Sequence, residues 1–266
     1  MEYIEKIIKK LNSNTKYFSE IDKLYYDVAN IMLEKLEFVK INPKNILNLG
    51  SGLGQDTNLL KQVYSHAQIF QVDIAINLLK QQKKSLFRRL IKLANTNLIN
   101  ANTYKLPFLD NSFDIVWSNL LLPYITNPDN FFTEIKRVLK PNGILLVSGF
   151  GVDSLSELRQ YNLNTNNFPD LHVIGDILFK LGFIDPVTDV DYLYYKDNNF
   201  AKILNVIRKI GCVDISCYKN RLSKIIYQQI LNDLDSSIEM KFEIFYAYAI
   251  KEDISNLQYI KINPIK

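Results

Sequence analysis

Apolar and polar positions change rhythm along the chain, and each change marks an element. Ile4, Ile7, Ile8 and Leu11 recur at helical spacing. So do Val28, Ile31, Met32 and Leu36, with Lys35 the polar exception and Asn12-Ser13-Asn14 the break between the two helices. After the turn signal Asn42-Pro43, the apolar run from Asn45 to Leu49 predicts a buried parallel strand. Gly50, Gly52 and Gly54 end it. A helical pattern follows, with Asp56 in its first turn and Leu59, Leu60 and Val63 on one face. Strand 69–73, a helix over 74–93, strand 98–101 and strand 113–118 come next. The segment 119–124 then lies at the strand's C-terminal end, and an amphipathic helix over 129–139, stopped by Pro141 and Gly143, leads to strand 144–150.

Beyond Phe150 the pattern loosens. Residues 154–161 read as a helix with Ser154 as N-cap and Glu157 as its capping-box partner. Residues 162–170 read as a polar loop, and 172–181 as a helix closed by Gly182. Strands are expected at 190–195 and 238–250, with helices at 198–210 and 223–234 between them. The whole is an α/β chain: a Rossmann-like, seven-stranded, mostly parallel sheet with helices on both faces, completed by the two late strands. Residues 1–40 form an N-terminal helical segment. Residues 41–251 form the main domain, with cap insertions near 151–170 and 196–236, and 252–266 is a loosely held tail.

The glycine stretch is the first candidate for chemistry. Glycine permits a sharp turn and lets a ligand touch the main chain, and the following helix N-terminus offers free N–H groups. The spacing is G-x-G-x-G, one residue short of the dinucleotide fingerprint. Asp73, at the tip of the second strand and about 20 residues on, is placed to accept hydrogen bonds from a ribose diol; a helix N-cap is the plainer role for such an acid.

Residues 45–150 resemble the class I S-adenosylmethionine-dependent methyltransferases. The resemblance is carried by Leu-Asn-Leu-Gly-Ser-Gly-Leu-Gly (47–54), Val-Asp-Ile (72–74), Leu-Pro-Phe (106–108), Phe-Asp-Ile-Val-Trp-Ser-Asn (113–119) and Arg-Val-Leu-Lys-Pro-Asn-Gly (137–143). It implies S-adenosylmethionine as cofactor, with S-adenosylhomocysteine as product, held by Gly50, Ser51, Gly52, Gly54, Asp73, Ile74, Asn102, Thr103 and Asn119. Two positions depart from the family pattern, Asn48 and Asn102, where Asp is usual. The Asn102 amide oxygen still accepts from an adenine amino group, whereas Asn48 lacks a charge that in the family orients the methionyl end.

The second half narrows the resemblance to the malonyl-acyl-carrier-protein O-methyltransferases of biotin synthesis. The segment 150–159 (Phe-Gly-Val-Asp-Ser-Leu-Ser-Glu-Leu-Arg), Ser118-Asn119-Leu120, the closing Phe245-Tyr246-Ala247-Tyr248-Ala249, and Phe18 with Tyr25 match its pattern. The resemblance implies methylation of the free carboxylate of malonyl-acyl carrier protein or malonyl-coenzyme A. That carboxylate is already ionised at neutral pH, so alignment and removal of water suffice and no general base is needed. Arg159 is the candidate clamp for one carboxylate oxygen and Tyr25 a second donor. A related branch of mitochondrial assembly factors shares the Glu-Leu-Arg segment. It keeps open a methyltransferase or hydroxylase acting on another acid or a protein side chain, or a non-catalytic cofactor-binding factor.

Composition sets the outer bounds. The 266 residues are 47% hydrophobic and 23% charged, ordinary for a globular protein. The net charge of +4 is too small to argue for nucleic acid. The strongest basic run, Lys80, Lys83, Lys84, Arg88, Arg89 and Lys92 on the helix 80–92, is either a solvated face or a docking surface for an acidic carrier protein. Two cysteines and two distant histidines suggest neither a disulfide framework nor a metal site. No apolar run reaches the roughly 18 residues of a membrane span, and the N-terminus lacks a signal-peptide core. A cytoplasmic monomer is expected.

Overall fold

The computed structural model describes residues 22–37, 39–88, 96–159, 168–197, 199, 202–203, 207, 228 and 238–253. In chain order the elements are α1 (Asp22–Glu37), β1 (Asn45–Leu49), α2 (Gln55–Val63), β2 (Gln68–Asp73), α3 (Ile76–Arg88), β3 (Thr96–Asn100), β4 (Phe113–Ser118), a 3-10 turn (Leu122–Tyr124), α4 (Pro128–Val138), β5 (Leu139–Phe150), α5 (Ser156–Arg159), α6 (Leu171–Lys180), β6 (Phe183–Asp197) and β7 (Ile238–Lys251). They build the expected seven-stranded sheet, in the order β3-β2-β1-β4-β5-β7-β6. β1 to β5 pair in parallel. β7 pairs antiparallel with both β5 and β6, so it alone runs against the rest.

Most strands serve two cores, because successive side chains point to opposite faces. On one face Ile46, Trp117, Ile144 and Leu146 pack with Val28, Ala29 and Met32 of α1 and Leu59 and Leu60 of α2. On the other, Leu47, Leu49, Val116 and Leu145 pack with Phe131, Phe132 and Ile135 of α4 and Ile174, Ile177 and Leu178 of α6. β1 and β4 are buried on both sides and therefore read as continuous apolar runs.

The largest departure from the sequence reading is β6. It begins at Phe183 rather than Val190 and pairs with β7 along its whole length, through a register shift between Ile184 and Val187. Asp185, with positive φ, and Pro186 mark the irregularity that breaks the alternating pattern. α3 starts at Ile76 rather than residue 74, because Asp73 and Ala75 form the turn that precedes it. Ser154 is buried, and its hydroxyl donates to the Glu243 carbonyl and accepts from the Glu243 N–H, which fastens the chain after β5 to β7. Most of the expected helices at 198–210 and 223–234, the part of the expected helix over 74–93 beyond residue 88, the loop before residue 168, the N-terminal helix of residues 4–11 and the tail from residue 254 lie outside the described residues.

Candidate active site

The strand order reverses between β1 and β4, which leaves a crevice at the C-terminal ends of the strands. The sequence puts its polar and glycine residues at that edge. Tyr25, Gly50, Gly52, Asp73, Ile74, Asn102, Thr103 and Asn119 line one cleft of about 760 Å³, counting space open to solvent. Leu78, Tyr104, Leu120, Leu121, Tyr124 and Ile125 complete the wall. A few convergent polar groups in a mostly apolar cleft of this size suit a nucleoside-sized ligand.

Gly50, Gly52 and Gly54 all have positive φ, a conformation glycine adopts without steric cost. At Gly52 an added Cβ would meet nothing within 4 Å, so the main chain there faces open space. Gly54 faces the other way. A Cβ on it would run into Gln82 of α3, which is hydrogen-bonded to Gln71 of β2. Gly54 and Ser51 do not belong to the cleft lining, and the glycine loop thus divides between a ligand-facing half and a half packed on a buried amide pair.

Asp73 sits at the tip of β2, buried. Its Oδ2 accepts from the Gly52 N–H at 2.9 Å and its Oδ1 from the Ala75 N–H at 2.7 Å. The carboxylate fixes both the glycine loop and the start of α3, as the plainer capping role expects, and each oxygen keeps a further acceptor site. Burial raises its pKa, and the two backbone hydrogen bonds oppose the rise. Asn102 Oδ1 accepts from the Tyr104 N–H at 3.0 Å, forming a turn that sets Thr103 in the wall. The Tyr104 hydroxyl accepts from the Thr126 and Asn127 N–H groups at 2.8 and 3.1 Å, which clips the loop after β3 to the entry of α4. Asn48, buried in mid-strand, donates to Thr57 Oγ1 at 3.1 Å and is no part of the lining. Arg159 closes α5, and its side chain lies outside the described residues.

The sequence reading missed Asp56 as a member of this neighbourhood. It is buried behind the wall and held by Trp117 and Asn119. The signal was present, since Asp56 stands three and four residues before Leu59 and Leu60 and so shares their buried face.

These residues fit S-adenosylmethionine. The open backbone at Gly52, an acid with spare acceptors at the tip of β2, and an apolar wall beside Asn102 offer contacts for its methionyl, ribose and adenine parts. A family model described as "Methyltransferase domain" matches residues 47–147. The malonyl-[acyl-carrier protein] O-methyltransferase of Gallionella capsiferriformans (strain ES-2) is 32% identical over 243 residues, across 86% of this chain and 84% of that one. That of Methylovorus sp. (strain MP688) is 31% identical over 243 residues, across 86% and 82%. The chain belongs to the malonyl-[acyl-carrier protein] O-methyltransferase family. Among solved structures, the Haemonchus contortus phosphoethanolamine N-methyltransferase 2 complex with phosphomonomethylethanolamine and S-adenosylhomocysteine matches with a TM-score of 0.56 at 21% identity. That match spans 84% of this chain and 53% of the other, and shows a shared fold.

Proposed function

We propose that this protein methylates the free carboxylate of a malonyl group carried on acyl carrier protein, with S-adenosylmethionine as the methyl donor. The observation that carries the proposal is identity of 32% to a malonyl-[acyl-carrier protein] O-methyltransferase across 86% of the chain. The cofactor supplies a methyl group activated by its sulfonium. The protein's part is to hold, orient and dry the reactants. Asp73 accepts from the ribose hydroxyls, Asn102 and Thr103 with Ile74 and Leu78 take the adenine end, and the main chain at Gly50 and Gly52 with Asn119 takes the methionyl end. Ser51 and Gly54 shape the loop from behind. Leu120, Leu121 and Tyr124 keep water from the malonyl carboxylate, whose nucleophilicity rises as it loses hydration. Arg159 clamps one carboxylate oxygen and Tyr25 supplies a second donor, leaving the other oxygen to attack.

The carrier protein docks through the basic run from Lys80 to Lys92, the protein acts as a monomer, and its setting is the cytoplasm. Among the described residues no helix is long and apolar enough to cross a membrane. The test is direct. Purified protein, malonyl-acyl carrier protein and S-adenosylmethionine should give the malonyl methyl ester by mass spectrometry, and the gene should rescue a biotin auxotroph lacking this step. Active-site-titrated protein that methylates neither the carrier-bound substrate nor malonyl-coenzyme A would overturn the proposal.

A further inference from the structure

Asp56 has no place in the roles above, yet the cleft wall is built on it. Its Oδ2 accepts the Trp117 indole N–H at 3.0 Å, and its Oδ1 accepts from Asn119 Nδ2 at 3.3 Å. The same Nδ2 donates to the Tyr25 carbonyl at 2.9 Å. Asn119 Oδ1 accepts from the Ser148 hydroxyl at 2.9 Å, and Ser148 Oγ accepts from the Leu120 N–H at 3.0 Å. One carboxylate, one amide and one hydroxyl thus join α2, β4, β5 and α1 immediately behind Tyr25, Asn119 and Leu120, all three of which line the cleft. Leu120 is held at φ 51, a backbone conformation that costs a branched residue free energy and persists only where its surroundings fix it.

The orientation of the Asn119 amide is the key to this wall. Its two ends have nearly the same shape, so its neighbours decide which end points where. With Nδ2 toward Asp56 and Tyr25, both face acceptors. Reversed, the amide oxygen would meet a carboxylate and a carbonyl. We propose that ionised Asp56 is a positioning residue for the cofactor site: it locks the Asn119 amide in one orientation and so holds the Tyr25 end of α1 against the cleft. The proposal rests on the cofactor assignment made above.

Ionisation then matters. Protonated, Asp56 turns one acceptor oxygen into a hydroxyl and can no longer serve Trp117 and Asn119 equally. Burial pushes its carboxyl up to about 6, against the pull of the Trp117, Asn119 and own-backbone hydrogen bonds. Lys23, Asp27, Glu34, Lys35 and Glu37 on α1, Lys61 on α2, and the Asp114–Lys140 pair on β4 and β5 are the charged groups of the surrounding elements among the described side chains. None of them contributes to the shift.

The test uses the full-length chain, S-adenosylhomocysteine as probe, and the emission of Trp117, the chain's single tryptophan. Wild type should bind about fourfold more weakly at pH 5.5 than at pH 7.5, following the fraction of Asp56 left ionised. Trp117 emission should titrate with a midpoint near pH 6, and the probe should move that midpoint down, because binding favours the ionised form. Asp56→Asn should bind about tenfold more weakly at pH 7.5, the loss of a charge-assisted hydrogen bond, and both the pH dependence of binding and the emission titration should vanish. Asp56→Asn that binds as wild type does at both pH values would overturn the proposal, as would weakened binding that keeps the wild-type pH profile, the signature of a merely structural role. Should that variant fail to fold, wild type decides alone, and an emission midpoint unmoved by the probe sinks the proposal. Wild type that binds no probe at all would remove the cofactor assignment and this proposal with it.

Discussion

At the scale of single residues, the roles proposed for Asp73 and Arg159 are separable by experiment. Asp73 is buried with both oxygens already ordered by main-chain donors. The ribose diol proposed to bind there would meet an acceptor already fixed in place. Asp73→Ala should therefore weaken S-adenosylhomocysteine binding by roughly 2–4 kcal/mol, measured by isothermal titration; unchanged affinity would remove Asp73 from the site. Arg159→Ala should do the reverse, leaving cofactor affinity within a few-fold of wild type while raising KM and lowering kcat for the malonyl carrier. Arg159→Lys should rescue poorly, because a point charge does not reproduce the planar fork. Full turnover in Arg159→Ala would refute the clamp. Asp73 was legible in the sequence because an acid ending an apolar strand has few reasons to be there. Asp56 was not, because an acid in the first turn of a helix is favoured by the helix dipole anyway, and that sufficient reason hid its burial. Gly54 lies outside the cleft lining against Gln82, and a glycine packed on a neighbouring side chain looks in sequence like a glycine kept for a ligand.

At the scale of elements, the strands and helices that alternate at their own periods were legible from Asn45 to Phe150, and with them the crevice. What the sequence hid is how the loops are held, since that depends on partners far along the chain. Arg137 on α4 is the clearest case. Its guanidinium donates to both Glu134 oxygens at 2.7 and 2.9 Å, to Asp110 Oδ1 at 2.7 Å, and to the Phe108 and Leu106 carbonyls at 2.8 and 3.2 Å. Glu134 in turn accepts from the Leu106 N–H at 2.6 Å. This network anchors the segment between the cleft residues Asn102–Tyr104 and β4. Arg137→Met should cost about 2–3 kcal/mol in denaturant unfolding, because the change strands two half-buried carbonyls and a half-buried carboxylate. Arg137→Lys should recover less than half of it, since five donors in a plane are replaced by one rotating ammonium. A loss below about 0.5 kcal/mol, the size expected of an ordinary surface ion pair, would show that the loop is held by packing instead.

At the scale of the whole molecule, charge governs both docking and the response to pH. Lys80 and Lys83 are exposed on α3, next to the cleft residue Leu78. Reversing both to Glu should raise KM for the malonyl carrier protein and spare malonyl-coenzyme A, with an effect that shrinks as salt rises. Equal carrier kinetics would make this an ordinary solvated face.

The pH response follows from carboxyls pulled in opposite directions. Asp114, Glu134 and Asp189 are held below their ordinary values: Asp114 by hydrogen bonds from Lys140 and backbone N–H groups, Glu134 chiefly by Arg137, and Asp189 chiefly by Lys35. Their stabilisation is present above the unfolded carboxylate range and is lost as pH falls below it. Asp56 works in the opposite sense. Its folded pKa, about 6, lies above its ordinary 3.8, so the folded state keeps a proton that the unfolded chain releases between those values. Stability from this group is full below about pH 4 and falls as pH rises through 6, by up to about 3 kcal/mol. Asp56→Asn removes that slope and leaves the others. The unfolding free energy of the variant relative to wild type should therefore move in the variant's favour by up to about 3 kcal/mol between pH 4 and pH 7. The fixed cost of replacing the carboxylate cancels in the comparison, because it is the same at both ends. Denaturant melts of the two proteins across this range measure it directly. A gap that stays constant would mean that Asp56 titrates at its ordinary value in the folded chain, and that its burial beside Trp117 and Asn119 carries no penalty for the charge.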